Sequence, residues 1–95
     1  MRRLAFEWDK RKATANLAAH GVSFEEATSA FQDPFAQDLP DAEHSTVAEE
    51  RSILIEISEQ GHLLYISFTV RLDRIRIISA RHATKRERLN YEESP

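Results

Sequence analysis

The spacing of hydrophobic residues along this chain changes near Pro34. Before this point apolar side chains recur about every 3.6 residues, as in an amphipathic helix, and after it apolar and polar residues alternate, as in a half-buried strand. The pattern predicts helices first and a sheet second. Segregated helices and strands are typical of the α+β class.

The first predicted helix begins after Asp9 and ends at His20. A carboxylate at Asp9 can accept hydrogen bonds from the free N–H groups of the first turn, and Gly21 can end the helix in the left-handed conformation. The residues expected on its inner face are Ala13, Leu17 and Asn16.

The second predicted helix opens at Ser23, with Glu26 three residues later as in a capping box. It stops at Asp33-Pro34, because proline cannot continue a helix. Its apolar face is expected to contain Phe24, Ala27 and Phe31.

Four strands are predicted after Pro34. Turns at Gln60-Gly61 and Leu72-Asp73 are short, so the strands that they join should be antiparallel neighbours. Alternation in the third of these strands sets Leu64 and Ile66 on one face and Tyr65 and Ser67 on the other. The predicted strands cover residues 35–39, 51–58, 63–70 and 74–81.

A final helix is predicted to about Glu92, because Thr84 and Glu87 form a second capping box. The expected fold is therefore α+β, with two N-terminal helices, a four-stranded mainly antiparallel meander sheet and one C-terminal helix. We expect residues 1–95 to form a single domain.

The composition of the chain limits the cellular environments and the kinds of site that are expected. The chain contains no cysteine, so neither disulfides nor thiolate metal sites are expected, and a reducing cytoplasm is the natural environment. The apolar runs are too short for a signal peptide or a membrane span. Sequence signatures for metal, nucleotide and serine-hydrolase sites are absent, and we expect no cofactor.

Charge is distributed unevenly along the chain. Residues 23–60 carry ten acids and one base, and residues 71–95 carry seven bases and four acids, although the net charge of the whole chain is −3. An acidic protein is not expected to coat nucleic acid without specificity, but a local site for an anion remains compatible with this distribution.

Arginines at strand positions are the first candidates for such a site. Neighbouring strands can bring guanidinium groups together around one phosphate, although each arginine alone also fits an ordinary ion pair. Arg76 is the most informative, because the isoleucines around it indicate a mostly covered strand. The candidates are Arg51, Arg71, Arg76 and Arg81.

His44 lies in the polar loop from Pro40 to Glu49, near Asp41, and is the best single general acid or base of the chain. The alternative is a surface histidine without a function. The predicted C-terminal helix adds a second basic region that can contact a nucleic-acid backbone, or that simply forms a solvated face paired with Glu87 and Glu92. Its candidate RNA-binding residues are Lys85, Arg86, Arg88 and Tyr91.

Four stretches together resemble the BrnT family of type II toxins. They are FEWDKRKATANLAAHGVSFEEA, the D-x-x-H-S motif that ends at Ser45, the E-E-R that ends at Arg51, and RIRIISARHATKRERLNYEE. The resemblance covers almost the whole chain. Two departures are Leu72, where the family often has glycine in the strand turn, and Glu56, where a small residue is common.

The resemblance implies a RelE-like ribonuclease fold and a toxic activity that cleaves mRNA. It also implies a cognate BrnA-type antitoxin, with which the toxin represses its own operon through the DNA-binding element of the antitoxin.

Metal-free RNA cleavage needs a base for the 2′-hydroxyl, cations for the phosphorane and an acid for the leaving oxygen. Glu50 or His44 is the candidate base, and Lys85 or Tyr91 the assisting group, beside the four arginines. Two alternatives remain open: a non-enzymatic module that binds RNA or protein through its basic strand and helix, and a structural subunit that assembles through its oppositely charged regions.

Overall fold

The computed structural model describes residues 4–33, 36 and 38–93. Its helices are α1 (Lys10–His20), α2 (Phe24–Ser29) and α3 (Lys85–Glu93), with a 3₁₀ turn (Ala30–Gln32) after α2. Its strands are β1 (Ala5–Glu7), β2 (Asp38–Pro40), β3 (Arg51–Ile57), β4 (Leu63–Arg71) and β5 (Arg74–His82). Within these residues the strands form a five-stranded sheet in the order β1-β5-β4-β3-β2.

The sheet has one strand more than the sequence predicted. β1 precedes α1 and pairs in parallel with β5, so that residues 5–7 lie beside residues 74–76. A strand of three residues is too short to show alternation, and its partner is distant in the sequence. The α+β class is confirmed, whereas the four-stranded sheet was wrong because β1 is specified by a long-range pairing.

The caps of α1 are confirmed. The Asp9 carboxylate accepts hydrogen bonds from the N–H groups of Arg11 and Lys12, at 2.9 and 3.0 Å. Gly21 follows the helix with a φ of 68°, a left-handed conformation that glycine adopts without steric cost.

The inner face of α1 agrees with the prediction at Ala13 and Asn16 but not at Leu17. Asn16 is 7% exposed, whereas Leu17 is 52% exposed. The Asn16 amide donates to the carbonyls of Val22 and Ala80 and accepts from the Ala80 N–H, at 3.0, 2.7 and 3.1 Å. A polar contact therefore fixes α1 to the sheet where an apolar contact by Leu17 was expected.

Helix α2 is shorter than predicted, because the chain tightens into the 3₁₀ turn. Ser23 Oγ accepts a hydrogen bond from the Glu26 N–H at 3.0 Å, which confirms the N-cap. The Glu26 carboxylate turns away from the helix start: it accepts from Ser58 Oγ at 2.7 Å and lies 2.7 Å from His62 Nδ1. The predicted capping box is thus only half formed, and Glu26 instead ties α2 to the hairpin between β3 and β4.

The hydrophobic core lies between the helices and one face of the sheet. Leu54 and Glu56 of β3 face this side, whereas Ile53 and Ile55 lie half-buried on the other side. We call the other side the open face. The largest fully buried side chains are Phe24, Leu64, Ile66, Ile77 and Val22.

The sheet margins depart slightly from the prediction. β2 covers residues 38–40, whereas residues 35–39 were predicted, of which residues 35 and 37 lie outside the described residues. A bulge opposite Ser67 and Phe68 inserts one extra residue into β5. In the turn between β4 and β5, Leu72 has a φ of 56°.

Helix α3 begins with a complete capping box, as predicted. The Glu87 N–H donates to Thr84 Oγ1 at 3.1 Å, and the Thr84 N–H donates to Glu87 Oε1 at 2.9 Å. None of the described residues of α3 is buried. Polar contacts attach it to the sheet: an ion pair between Arg81 and Glu87 at one end and a hydrogen bond from the Tyr91 hydroxyl to Glu56 at the other.

Candidate active site on the open face

A row of side chains crosses the open face from β1 to β3. The strand register pairs Glu7 with Arg76, Arg76 with Thr69, and Thr69 with Arg51. Because neighbouring strands lie about 4.8 Å apart, the backbones of the two arginines are separated by about 10 Å. We call these four residues the arginine row. Two of the predicted arginines, Arg51 and Arg76, belong to this row, one on each side of Thr69.

The other two predicted arginines lie away from this row. Arg81 pairs with Tyr65, four residues from Thr69 along β4, and is therefore about 14 Å from the row. Arg71 pairs with Arg74 beside the turn, on the opposite side of the row. The register thus brings Arg51 and Arg76 close together and separates Arg71 and Arg81 from them along the strands. Convergence of all four arginines on one anion stays a prediction.

Both arginines of the arginine row use only some of their N–H groups in hydrogen bonds among the described residues. Arg51 donates from Nε to Glu49 at 2.9 Å, and Arg76 donates from Nη1 to Glu7 at 2.7 Å. Among the described residues, no hydrogen bond engages the Nη groups of Arg51 or the Nε and Nη2 groups of Arg76. Each side chain is thus oriented by one carboxylate and retains N–H groups for another anion.

Arg81 is engaged much more completely. Its Nη1 and Nη2 donate to the two carboxylate oxygens of Glu87, at 2.8 and 3.0 Å, and its guanidinium lies 3.9 Å from the centre of the Tyr65 ring. The hydrogen bonds with Glu87 raise the pKa of Arg81 and lower the pKa of Glu87. A phosphate would have to compete with this bidentate pair.

His44 is oriented by a carboxylate beside β3. Its Nδ1 lies 2.9 Å from Asp41 Oδ2, and its side chain is 61% exposed. Ser45 fixes the loop, because its Oγ donates to the Asp41 carbonyl at 2.6 Å and accepts from the Arg51 N–H at 2.9 Å. The Asp41 N–H also donates to the Arg51 carbonyl at 2.8 Å. The Asp41–His44 pair is therefore tied to the backbone at one end of the arginine row.

The pKa of Tyr65 is affected by charged groups on this loop and by Arg81. Burial raises the pKa of its hydroxyl, and Arg81 acts in the opposite direction. The carboxylates of Asp41 and Glu43 contribute to the rise in the Tyr65 pKa. The loop that carries His44 and the Tyr65–Arg81 pair thus act on one another across the open face.

Glu50 and Arg71 border a shallow pocket of about 280 Å³ at the end of β3 and β4. The Thr69 hydroxyl donates to the Glu50 carbonyl at 2.7 Å, which joins this pocket to the arginine row. Within the described residues, neither the Glu50 carboxylate nor the Arg71 guanidinium forms an ion pair. The lining residues are Ala48, Glu49, Glu50, Ser52, Thr69, Val70 and Arg71.

The candidates on α3 differ in availability. Lys85, Arg86 and Arg88 are exposed, and none forms an ion pair with another residue of the described chain. The Tyr91 hydroxyl donates to Glu56 at 2.5 Å, and this hydrogen bond raises the pKa of Tyr91 to about 12. The basic side chains can meet a polyanion, whereas the Tyr91 hydroxyl already holds α3 to β3.

Sequence reasoning missed two members of the arginine row. Glu7 was overlooked because β1 was not predicted, and Thr69 because a threonine in an alternating strand carries no special signal. Within residues 4–33, 36 and 38–93, no group of three or more histidines and acids is arranged to hold a metal ion. In the same residues no helix is long and apolar enough to cross a membrane.

The fold and the site define a small α+β domain that displays arginines and an oriented histidine on one face of its sheet. A family model described as the ribonuclease toxin BrnT of type II toxin–antitoxin systems matches residues 8–87. The chain belongs to this family, as its sequence motifs indicated.

A solved structure shares the fold. The crystal structure of the Brucella abortus ribonuclease toxin BrnT, at 1.1 Å resolution, matches with a TM-score of 0.66 and 20% sequence identity. The match covers 87% of this chain and 100% of that chain. At this identity the likeness concerns the fold. Among curated proteins, no sequence matches the chain.

Membership of the family sets the function in outline. The family consists of ribonuclease toxins of type II toxin–antitoxin systems, which implies an RNA substrate and an antitoxin partner.

Proposed function

We propose that this chain is an endoribonuclease toxin that cleaves RNA without a metal ion and thereby inhibits translation. The observation that carries the proposal is the Asp41–His44 pair, which is tied to the backbone of Arg51 at one end of the arginine row. A base beside phosphate-binding cations is what cleavage through the 2′-hydroxyl requires. We further propose that the fold is of the RelE-like type.

His44 is the proposed general base. When Asp41 is ionised, its carboxylate accepts from Nδ1–H of the imidazole and leaves Nε2 free to accept a proton. The same carboxylate stabilises the imidazolium that forms. Glu50 is the alternative base, since its carboxylate is exposed and lies one residue from Arg51.

Arg51 and Arg76 are the proposed phosphate ligands. Their unengaged N–H groups can bind the two non-bridging oxygens from opposite sides of Thr69 and stabilise the charge of the phosphorane. Arg71 is proposed to contact the neighbouring phosphate. Arg81 completes the proposed set, but its use as a phosphate ligand requires release of Glu87.

The proposed reaction is a transphosphorylation. The base takes the proton of the 2′-hydroxyl, the 2′-oxygen bonds to phosphorus, and the bond between phosphorus and the 5′-oxygen breaks. The leaving 5′-oxygen then receives a proton. Lys85 is the proposed donor, because the Tyr91 hydroxyl is engaged by Glu56. The products are a 2′,3′-cyclic phosphate and a 5′-hydroxyl.

Helix α3 is the proposed second contact with RNA. Arg86 and Arg88 are exposed and can follow the sugar–phosphate backbone, while the ring of Tyr91 can contribute stacking although its hydroxyl is engaged. The proposed substrate is mRNA, either free or on the ribosome. The proposed location is the cytoplasm.

The proposed partner is a BrnA-like antitoxin that covers these cations with an acidic or amphipathic segment. Operator DNA would then be bound only through the antitoxin. Replacing Arg86 and Arg88 with alanine is expected to weaken the complex in a titration at constant salt concentration. An unchanged affinity would remove α3 from the proposed interface.

Cleavage of a short RNA by the purified protein tests the proposed chemistry. We expect cleavage in the presence of EDTA, a cyclic phosphate on the product, and complete protection by a single 2′-deoxy substitution at the cleaved position. Loss of activity in EDTA would overturn metal independence. Binding without any cleavage would favour the non-enzymatic alternative.

Variants test the assignment of residues in the same assay. His44→Ala, Arg51→Ala and Arg76→Ala are each expected to lower kcat by roughly 100-fold or more. Glu25→Gln is the control, because Glu25 is exposed on α2, which packs on the other face of the sheet. Full activity of folded His44→Ala would transfer the role of base to Glu50.

Expression in a bacterial host tests the toxic role. We expect growth arrest together with fragmentation of RNA for the wild type, and neither effect for a folded Arg51→Ala/Arg76→Ala variant. Arrest by both proteins would separate toxicity from the arginine row.

A further inference from the structure

The strand that sequence reasoning missed contributes a carboxylate to the arginine row. Glu7 ends β1, and the parallel pairing with β5 puts it directly beside Arg76. Its Oε2 accepts a hydrogen bond from Arg76 Nη1 at 2.7 Å. The two side chains are 29% and 30% exposed, so that water screens their attraction less than it would on an open surface.

The hydrogen bond to Glu7 restrains the Arg76 side chain but occupies only one nitrogen of its guanidinium group. An unrestrained arginine in solvent loses considerable rotamer entropy when it binds an anion. Here one nitrogen is already fixed by Glu7, while Nε and Nη2 have no partner among the described residues. This contrasts with Arg81, whose two terminal nitrogens both bind Glu87.

A second carboxylate near Arg76 is committed elsewhere. Asp9 lies close enough for Arg76 to contribute to the lowering of its pKa, of which the hydrogen bond from the Lys12 backbone is the largest cause. Asp9 Oδ1 already accepts from the N–H groups of Arg11 and Lys12 at the start of α1. Glu7 is therefore the carboxylate that holds the guanidinium of Arg76.

We propose that Glu7 is a positioning residue, which holds Arg76 so that its unengaged N–H groups meet the scissile phosphate in the transition state. This inference rests on the proposed ribonuclease function and adds a residue from β1 to it. Glu7 itself contacts neither the phosphate nor the 2′-hydroxyl; it acts through Arg76.

The proposal predicts opposite effects on binding and on chemistry. Glu7→Gln removes a negative charge beside the phosphate, so KM for a short RNA should fall. The weaker contact leaves Arg76 less well oriented, so kcat should fall by roughly tenfold. A merely structural loss would lower the fraction of folded protein and would not lower KM.

A double-mutant cycle between Glu7→Gln and Arg76→Ala provides the decisive test. If Glu7 acts through Arg76, its replacement should not lower kcat further once Arg76 is alanine. Glu25→Gln supplies the same chemical change at an exposed position on α2 and should leave kcat and KM as in the wild type. Thermal unfolding of each variant checks that it is folded.

The results distinguish a failure of the proposed ribonuclease function from a failure of the role proposed for Glu7. Absence of cleavage by the wild type would overturn the proposed function and this inference with it. Cleavage by the wild type with an unchanged kcat in Glu7→Gln, or additive losses in the cycle, would overturn the inference alone. If Glu7→Gln does not fold, Glu7→Asp replaces it: this variant keeps the charge, shortens the side chain by one methylene, and should lower kcat at an unchanged midpoint of unfolding.

Discussion

Asn16 shows how much one polar side chain contributes to this fold. Its amide satisfies the carbonyl of Val22 and both backbone groups of Ala80, in a region from which water is excluded. The sequence pattern gave equal reason to expect Leu17 on this face. A period of 3.6 residues indicates which side of a helix faces inward, but it does not show whether the sheet below presents methyl groups or unpaired backbone atoms.

We expect Asn16→Ala to lower the free energy of unfolding by about 3 kcal/mol, because three buried backbone groups lose their partner. Leu17→Ala is the matched control and should cost less than about 1 kcal/mol, since Leu17 is half exposed. Urea denaturation of both variants measures the difference. Equal losses would mean that the amide contributes nothing beyond its volume.

Leu72 occupies a backbone conformation that suits glycine or asparagine. Its φ is 56° and its side chain is fully exposed, so it carries the steric cost of the left-handed region without any packing in return. Leu72→Asn is expected to raise the free energy of unfolding by about 1 kcal/mol. The midpoint of chemical denaturation measures this gain; a lower midpoint would show that the turn rearranges around leucine.

Among the secondary-structure elements, the ends and caps of helices were predicted better than the strand at the edge of the sheet. Asp9, Gly21 and Thr84 specify helix ends through local hydrogen bonds and conformations, which a sequence displays directly. β1 depends on a partner strand far along the chain, and Glu26 exchanges its expected helical contact for Ser58 and His62. Tertiary contacts of this kind have no local signal.

Helix α3 is expected to be sensitive to acid. The hydrogen bond with Arg81 lowers the pKa of Glu87 below its ordinary value of 4.5. A carboxyl group with a lowered pKa in the folded state stabilises the protein above its unfolded-state pKa, and this stabilisation is lost as the pH falls through the folded-state value. Stability should therefore decline below about pH 4.5.

Glu87→Gln isolates this contribution. At neutral pH it should lower the free energy of unfolding by about 1 kcal/mol, through the weakened cap and the lost ion pair. The difference from the wild type should shrink as the pH falls below 4.5 and through the lowered folded-state pKa of Glu87. Urea denaturation across pH measures both effects, and a constant difference would exclude Glu87 as the titrating group.

At the scale of the molecule, the two charged regions of the sequence are only partly separate in space. Three arginines of the sheet, Arg51, Arg76 and Arg81, each form an ion pair with a glutamate, so that part of the positive charge is neutralised locally. The sequence offered the arginines and His44 as candidates, because strand positions and loop composition are local properties. It could not show which arginines share a row, because a bulge and the order of the strands determine that.

Binding of RNA should depend only moderately on salt. Each neutralised phosphate of a single strand contributes a slope of about −0.7 to the plot of log K against log salt. We expect the Arg86→Ala/Arg88→Ala variant to reduce the magnitude of the slope by about 1.4. Fluorescence anisotropy with a labelled oligonucleotide measures it, and an identical slope would show that RNA does not reach α3.

The pairing of β1 with β5 has a consequence for synthesis of the protein. Residues 5–7 are translated well before their partners at residues 74–76. Until then Glu7 has no Arg76 to hold, and the edge of the sheet is incomplete. A nascent chain therefore cannot assemble the arginine row until residues 74–76 have been translated, so the ribosome that makes the protein is not exposed to the finished site before that point.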